Sequence, residues 1–146
     1  RRAAELGHAG ARHDLGRLYQ MDLEGDAGFG HVLALPAPDM PELAGAEFLG
    51  APLPLDGAMH AACVHGQQVA DFVPFPVSFA MRRICRPIRP GECCEVRLRL
   101  VRQAADFLCY DLWLLRDGMV CEEIRSLAMR DVSGGKIRPP AWWRNG

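Results

Sequence analysis

The sequence has no Cys-x-x-Cys pair, no Cys/His spacing that would surround a zinc ion, and no run approaching the ~20 apolar residues of a membrane span. Nor does it have an excess of one charge: 17 Lys and Arg against 18 Asp and Glu leave a formal net of −1. These absences exclude a zinc ribbon, a helical membrane protein and the electrostatic footprint of a nucleic-acid binder. No signal peptide is recognisable, so a soluble, cytoplasmic protein is expected. The six cysteines (Cys63, Cys85, Cys93, Cys94, Cys109 and Cys121) then read as reduced and buried. The chain opens on Arg-Arg, which suggests a piece of something longer.

What is present is apolar substance. Hydrophobic residues make up 49% of 146, enough for one compact domain with its own core. Residues 1–14 mix Ala, Gly and charge without a period and read as a linker or N-terminal extension. From Leu15 to Leu23, then through the turn-forming EGDAG into GHVLALP, the pattern predicts a hairpin ended by Pro36. Residues 36–54 hold so many Pro and Gly that a long surface loop is expected there, of the kind that often borders a site.

Residues 55–70 have helix composition, with Asp56 expected in the first turn at the positive end of the dipole. At ~100° per residue, Asp56, His60, Cys63 and Gln67 share one stripe. Leu55, Met59, Ala62, Gly66 and Val69 lie beside it, and Gly57, Ala58, Ala61 and His65 occupy the remaining face. The small residues let neighbouring backbone come close, as a helix wrapped by a curved sheet requires. Four strand-like segments follow. They begin with FVPFPVSFAMRRICRPI and end with MVCEEIRSLAMRDV, the latter after an Arg-Asp-Gly hairpin signal at 116–118. The alternation of Glu95, Arg97 and Arg99 against Val96, Leu98 and Leu100 marks a half-buried antiparallel strand. The predicted domain is 15–132, with 133–146 a tail in which Trp142 and Trp143 dock on a neighbouring surface. Two strands, one helix and four strands make an α+β layer arrangement in the hot-dog order, an antiparallel sheet around one central helix.

PLPLDGAMHAACVHG followed by FVPFPVSFAMRRICRPIRPGE resembles the second half of the dehydratase domain of polyketide synthases, a double hot dog. The match rests on Pro52, Leu55 and Asp56 as Pro-x-x-Leu-Asp, on Asp56 and His60 as Asp-x-x-x-His, and on Pro74 to Ser78 as the next strand opening. It covers about Leu15 to Val132. The Tyr-Gly-x-x-Phe approach to the first strand is not recognisable. Nor does His8, His13, His31, His60 or His65 fit the His-x-x-x-Gly-x-x-x-x-Pro motif that supplies the catalytic histidine from the first half.

The resemblance implies dehydration of a β-hydroxyacyl thioester tethered through phosphopantetheine to an acyl carrier protein, with no bound cofactor and no metal. Asp56 is then the general acid and His60 the residue that orients it. Leu55, Met59, Cys63, Gln67 and Pro76 are implied tunnel lining, and the catalytic histidine must come from a second hot dog, in the same polypeptide or a homodimer. To serve as acid, Asp56 must rise above ~3.9, which burial favours and a first-turn position opposes.

Other readings stay open. Asp56 can be a helix cap and His60 or His65 structural. Arg82, Arg83, Arg86 and Arg89 can be a carrier-docking face or a solvated strand edge. The whole can be a thioesterase homodimer or a non-catalytic acyl-binding half.

Overall fold

The structure is a computed structural model that describes residues 18–24, 27–33, 50, 52–89 and 92–144. The expected N-terminal extension and most of the Pro/Gly-rich loop lie outside the described residues. Strands β1 (Leu18–Glu24) and β2 (Ala27–Leu33) form the expected hairpin, β2 beginning three residues earlier than the GHVLALP pattern indicated. Helix α1 (Pro52–Val69) follows, then β3 (Phe75–Ser78), β4 (Met81–Ile84), β5 (Cys93–Ala104), β6 (Phe107–Arg116), β7 (Met119–Arg130) and the short α2 (Ala141–Arg144). All pairings are antiparallel, and the sheet order is β1-β2-β5-β6-β7-β3, with β4 also on β7. The helix thus connects a hairpin at one edge to strands at the other, and the meander β5–β6–β7 fills the middle. This is the hot-dog arrangement.

Helix α1 starts three residues before the expected Leu55, drawing Pro52 and Pro54 out of the presumed loop. Both fit because first-turn N–H groups have no intrahelical acceptor, so proline forfeits nothing there. Asp56 is consequently the fifth helical residue, beyond the first turn in which it was expected.

The concave face of the sheet is lined by alternate residues: Val96 and Leu98 on β5, Leu108, Tyr110, Leu112 and Leu114 on β6, Ile124, Leu127 and Met129 on β7. Against it packs the small-residue face of α1: Gly57, Ala58, Ala61, Ala62, His65 and Gly66 are all buried. A β-carbon on Gly66 would come within 2.5 Å of Pro74 Cγ and 2.8 Å of Leu108 Cδ1, so the helix backbone rests directly on the sheet. His65, expected to be structural or solvated, is structural: its Nδ1 shares a 2.8 Å hydrogen bond with the Tyr110 hydroxyl, both side chains buried.

The segment expected as one strand from Phe72 is broken into β3 and β4, both paired with β7, which itself carries a bulge. Ile124 and Leu127 both reach the core, which strict alternation forbids. Between them Arg125 and Ser126 stand opposite the single residue Asp111 in a bulge, with Ser126 at φ 54. Along the β3–β4 edge the register on β7 shifts between Pro76, opposite Met129, and Ser78, opposite Ala128, and the Ser78–Ala128 register continues to Met81 opposite Arg125. Asp111 holds the bulge: one carboxylate oxygen accepts the Ser126 N–H at 3.0 Å, the other accepts Arg125 Nη1 at 2.8 Å and Arg99 Nη2 at 3.0 Å. Burial works against the Asp111 charge, but these donors outweigh it and hold its carboxyl below the ordinary range.

The β6–β7 turn has positive φ at Asp117 and Gly118, the type I′ geometry that the Arg-Asp-Gly signal indicated. Beyond β7, Asp131 accepts hydrogen bonds from the Ser133 N–H (2.8 Å), the Ser133 hydroxyl (2.6 Å) and the Gly135 N–H (2.6 Å). Arg138 in turn donates to the Asp71 carbonyl and carboxylate. In the tail Pro139 is buried and Trp142 is 60% exposed, and the side chain of Trp143 lies outside the described residues. The cysteines divide. Cys94, Cys109 and Cys121 are buried as expected, Cys63 is half-buried, and Cys85 and Cys93 are exposed, since β5 turns Cys93 outward when it turns Cys94 in.

Candidate active site

Filling one face of α1 with Gly and Ala decides what the other face presents. Asp56 and His60 lie one turn apart on the outward stripe, both exposed in the single chain. Leu55, Met59 and Cys63 flank them half-buried and pack on the core. Gln67 continues the stripe one turn after Cys63. Its Nε2 donates to the Cys63 carbonyl at 3.3 Å and approaches Cys63 Sγ at 3.6 Å. Burial pushes the Cys63 thiol up, against a smaller opposing effect of Gln67, and so favours the thiol over the thiolate. Pro76 stands apart on the edge strand β3, opposite Met129 of β7, and is exposed. The helix therefore assembles Asp56, His60, Cys63 and Gln67 as one strip, with Leu55 and Met59 alongside. This chain's own sheet lies on the helix's opposite face from Asp56 and His60.

Three buried carboxylates were not singled out from the sequence: Asp111, Glu122 and Glu123. For the glutamates a signal existed. Glu122 and Ile124 share one parity on β7, so Glu122 had to face inward with Ile124, and the adjacent Arg82 and Arg83 on β4 supplied complementary charge on both faces. Arg82 Nε and Nη2 donate to Glu122 Oε2 at 3.0 and 2.8 Å on the concave side. On the convex side Arg83 and Arg125 both pair with Glu123. Burial opposes the Glu123 charge, yet these two guanidinium groups lower its carboxyl overall. Arg82 is thereby removed from any docking face, because its parity turns it inward. Arg83 is engaged at the surface, and Arg86 and Arg89 remain exposed. Among the described residues no group of three or more His, Cys, Asp or Glu could hold a metal ion, and no helix is long and apolar enough to cross a membrane.

Comparison with known proteins agrees with this geometry. A search of curated proteins finds no match. Among solved structures, the chain is similar to the dehydratase domain of RzxB from Pseudomonas fluorescens (21% identity, TM-score 0.61), over 78% of this chain and 40% of that one. It is similar to the putative thioesterase yhdA from Lactococcus lactis (11% identity, TM-score 0.63), over 87% of this chain and 96% of that one. The E. coli PaaI protein matches at 12% identity and a TM-score of 0.58, over 88% of each chain. At these identities the likeness is one of fold. The chain spans less than half the length of the dehydratase structure and nearly all of the putative thioesterase. The family model described as polyketide synthase dehydratase N-terminal domain matches residues 17–138, and the chain belongs to the polyketide synthase dehydratase family.

Proposed function

We propose that this chain is the Asp-bearing, C-terminal half of a dehydratase acting on β-hydroxyacyl thioesters. The substrate would be carried on the phosphopantetheine of an acyl carrier protein, in cytoplasmic polyketide or fatty-acid-like biosynthesis. The observation that carries this reading is the placement of Asp56 and His60 on the exposed stripe of a helix whose other face is already full. A second body laid over that stripe would exclude water from Asp56 and favour its protonated form. The edge strands support such a partner: Phe75 and Val77 on β3, Phe79 in the link and Met81 on β4 are all exposed, an apolar edge with no further strand on it among the described residues, which a second hot dog would cover.

In the reaction, a histidine of the second hot dog takes a proton from the carbon next to the thioester carbonyl. The electron pair forms the carbon–carbon double bond, and the hydroxyl leaves as water with the proton of Asp56. His60, one turn on, holds the Asp56 carboxyl toward the leaving group. The matching family model is named for the N-terminal domain, so the assignment to the second half rests on Asp-x-x-x-His and on the lack of the first-half histidine motif. A reading frame upstream of Arg1 encoding a hot dog with that motif would support the assignment; a start codon at Arg1 would overturn it. In the complete protein, Asp56→Asn should lower conversion of a 3-hydroxyacyl carrier to the enoyl product by roughly a hundredfold or more. Unchanged turnover removes Asp56 from the mechanism.

The near-complete coverage of the putative thioesterase favours one second reading, a homodimer that hydrolyses an acyl thioester with Asp56 as base. Release of free thiol from acyl-CoA by this chain alone would select it.

A further inference from the structure

The approach to α1 lies on a buried ion pair. Glu122 has none of its side chain exposed and Arg82 only 16%, both on the concave face of the sheet. Gly50, at φ +78, sits against them: a β-carbon there would lie 2.4 Å from Arg82 Nη2, 2.6 Å from Glu122 Oε1 and 3.0 Å from Ile84 Cδ1. The helix begins two residues later, and Asp56 follows one turn after that. Only a residue without a side chain can bring the backbone down onto both head groups two positions before α1 begins.

The neighbouring pair supplies an internal contrast. Arg83 and Glu123 join the same two strands, β4 and β7, with the same chemistry, but on the convex face, away from α1. Fastening β4 to β7 therefore does not require the inward pair. A buried ion pair also adds little net stability over apolar residues of the same volume. Its distinctive property is directional: fixed donors and acceptors hold whatever rests on them at one place.

We infer that Arg82 and Glu122 are positioning residues. Through Gly50 they set where α1 begins, and so the direction in which Asp56 and His60 face. The catalytic consequence rests on the proposed dehydratase function; the seating of the helix does not.

The test compares Glu122→Gln with Glu123→Gln in the complete protein, second hot dog included. It reads hydrogen exchange of the amides of residues 52–60 together with kcat and KM for a 3-hydroxyacyl carrier. For Glu122→Gln, exchange over 52–60 should rise about tenfold relative to 61–69, and kcat should fall about tenfold with KM unchanged, since small displacements of a catalytic group are costly. Glu123→Gln should lower the urea midpoint while leaving local exchange and kcat near the parent's. Arg82→Lys, which keeps the charge and gives up the forked geometry, should shift both readouts in the same direction by less, and it serves if Glu122→Gln does not fold. Equal behaviour of the inward and outward variants would overturn the inference. Selective exchange at 52–60 with full turnover by Asp56→Asn would leave the seating intact and discard the dehydratase reading.

Discussion

The two faces of α1 solve opposite problems. The inward face is nearly all Gly and Ala, with no space left under Gly66, and its polar residue, His65, is engaged by Tyr110. The outward face carries Asp56 and His60 in the open, flanked by half-buried Leu55, Met59 and Cys63. One face is committed to holding the sheet and tolerates no added volume. The other contributes little to the fold and is available for chemistry. In a central helix wrapped by a single sheet this division is forced, because the sheet can enclose only one side.

The sharpest way to break the comparison is to add volume inward. Gly66→Val should cost about 3 kcal/mol or more in urea unfolding, because a branched side chain must displace Pro74 and Leu108 in a close-packed core. A loss under about 1 kcal/mol would mean that the helix lifts easily and the inward face is not committed.

A smaller effect is expected where the sheet is bent to follow the helix. Asp111→Asn should cost about 2 kcal/mol at neutral pH by weakening the bonds to Arg99 and Arg125 at the bulge. Asp111 and Glu123 both have carboxyls held below the ordinary range. Their stabilisation is therefore complete above the unfolded value of about 4 and is lost as the pH falls from there through the lower folded values. Urea midpoints should drop below about pH 4, less steeply in Asp111→Asn. Midpoints flat down to pH 2.5 would contradict that linkage.

The smallest effect should come from the outward stripe. Asp56→Asn, which keeps the side chain's shape and an acceptor oxygen, and His60→Ala should move the urea midpoint little, since exposed substitutions usually change stability by about 0.5 kcal/mol or less. A large loss would make Asp56 a structural cap and would remove the contrast between the faces.

Much of this was legible in the residues. Small residues spaced along 57–66 announced a helix pressed against a sheet, Arg-Asp-Gly announced the β6–β7 turn, and Asp56 and His60 fell on one stripe by arithmetic alone. Other features were hidden for identifiable reasons. The helix start was masked by Pro52 and Pro54, which break helices in the interior and are harmless in the first turn. The bulge at Arg125–Ser126, where two residues stand opposite Asp111, was hidden because a bulge leaves no signal in local propensity. Glu122 was overlooked because two adjacent glutamates look like a solvated pair until strand parity assigns one of them inward.

The sequence by itself determined the periodicities, and hence the element types and the sharing of a stripe by Asp56, His60, Cys63 and Gln67, because helix and strand geometry are local. Only the tertiary structure decided which stripe faces the sheet, that Arg82 and Glu122 lie under Gly50, and that Asp111 holds the bulge. Those outcomes depend on which residues meet across 12 to 72 positions of chain, from Arg99 to Asp111 and from Gly50 to Glu122, and no local pattern encodes such meetings.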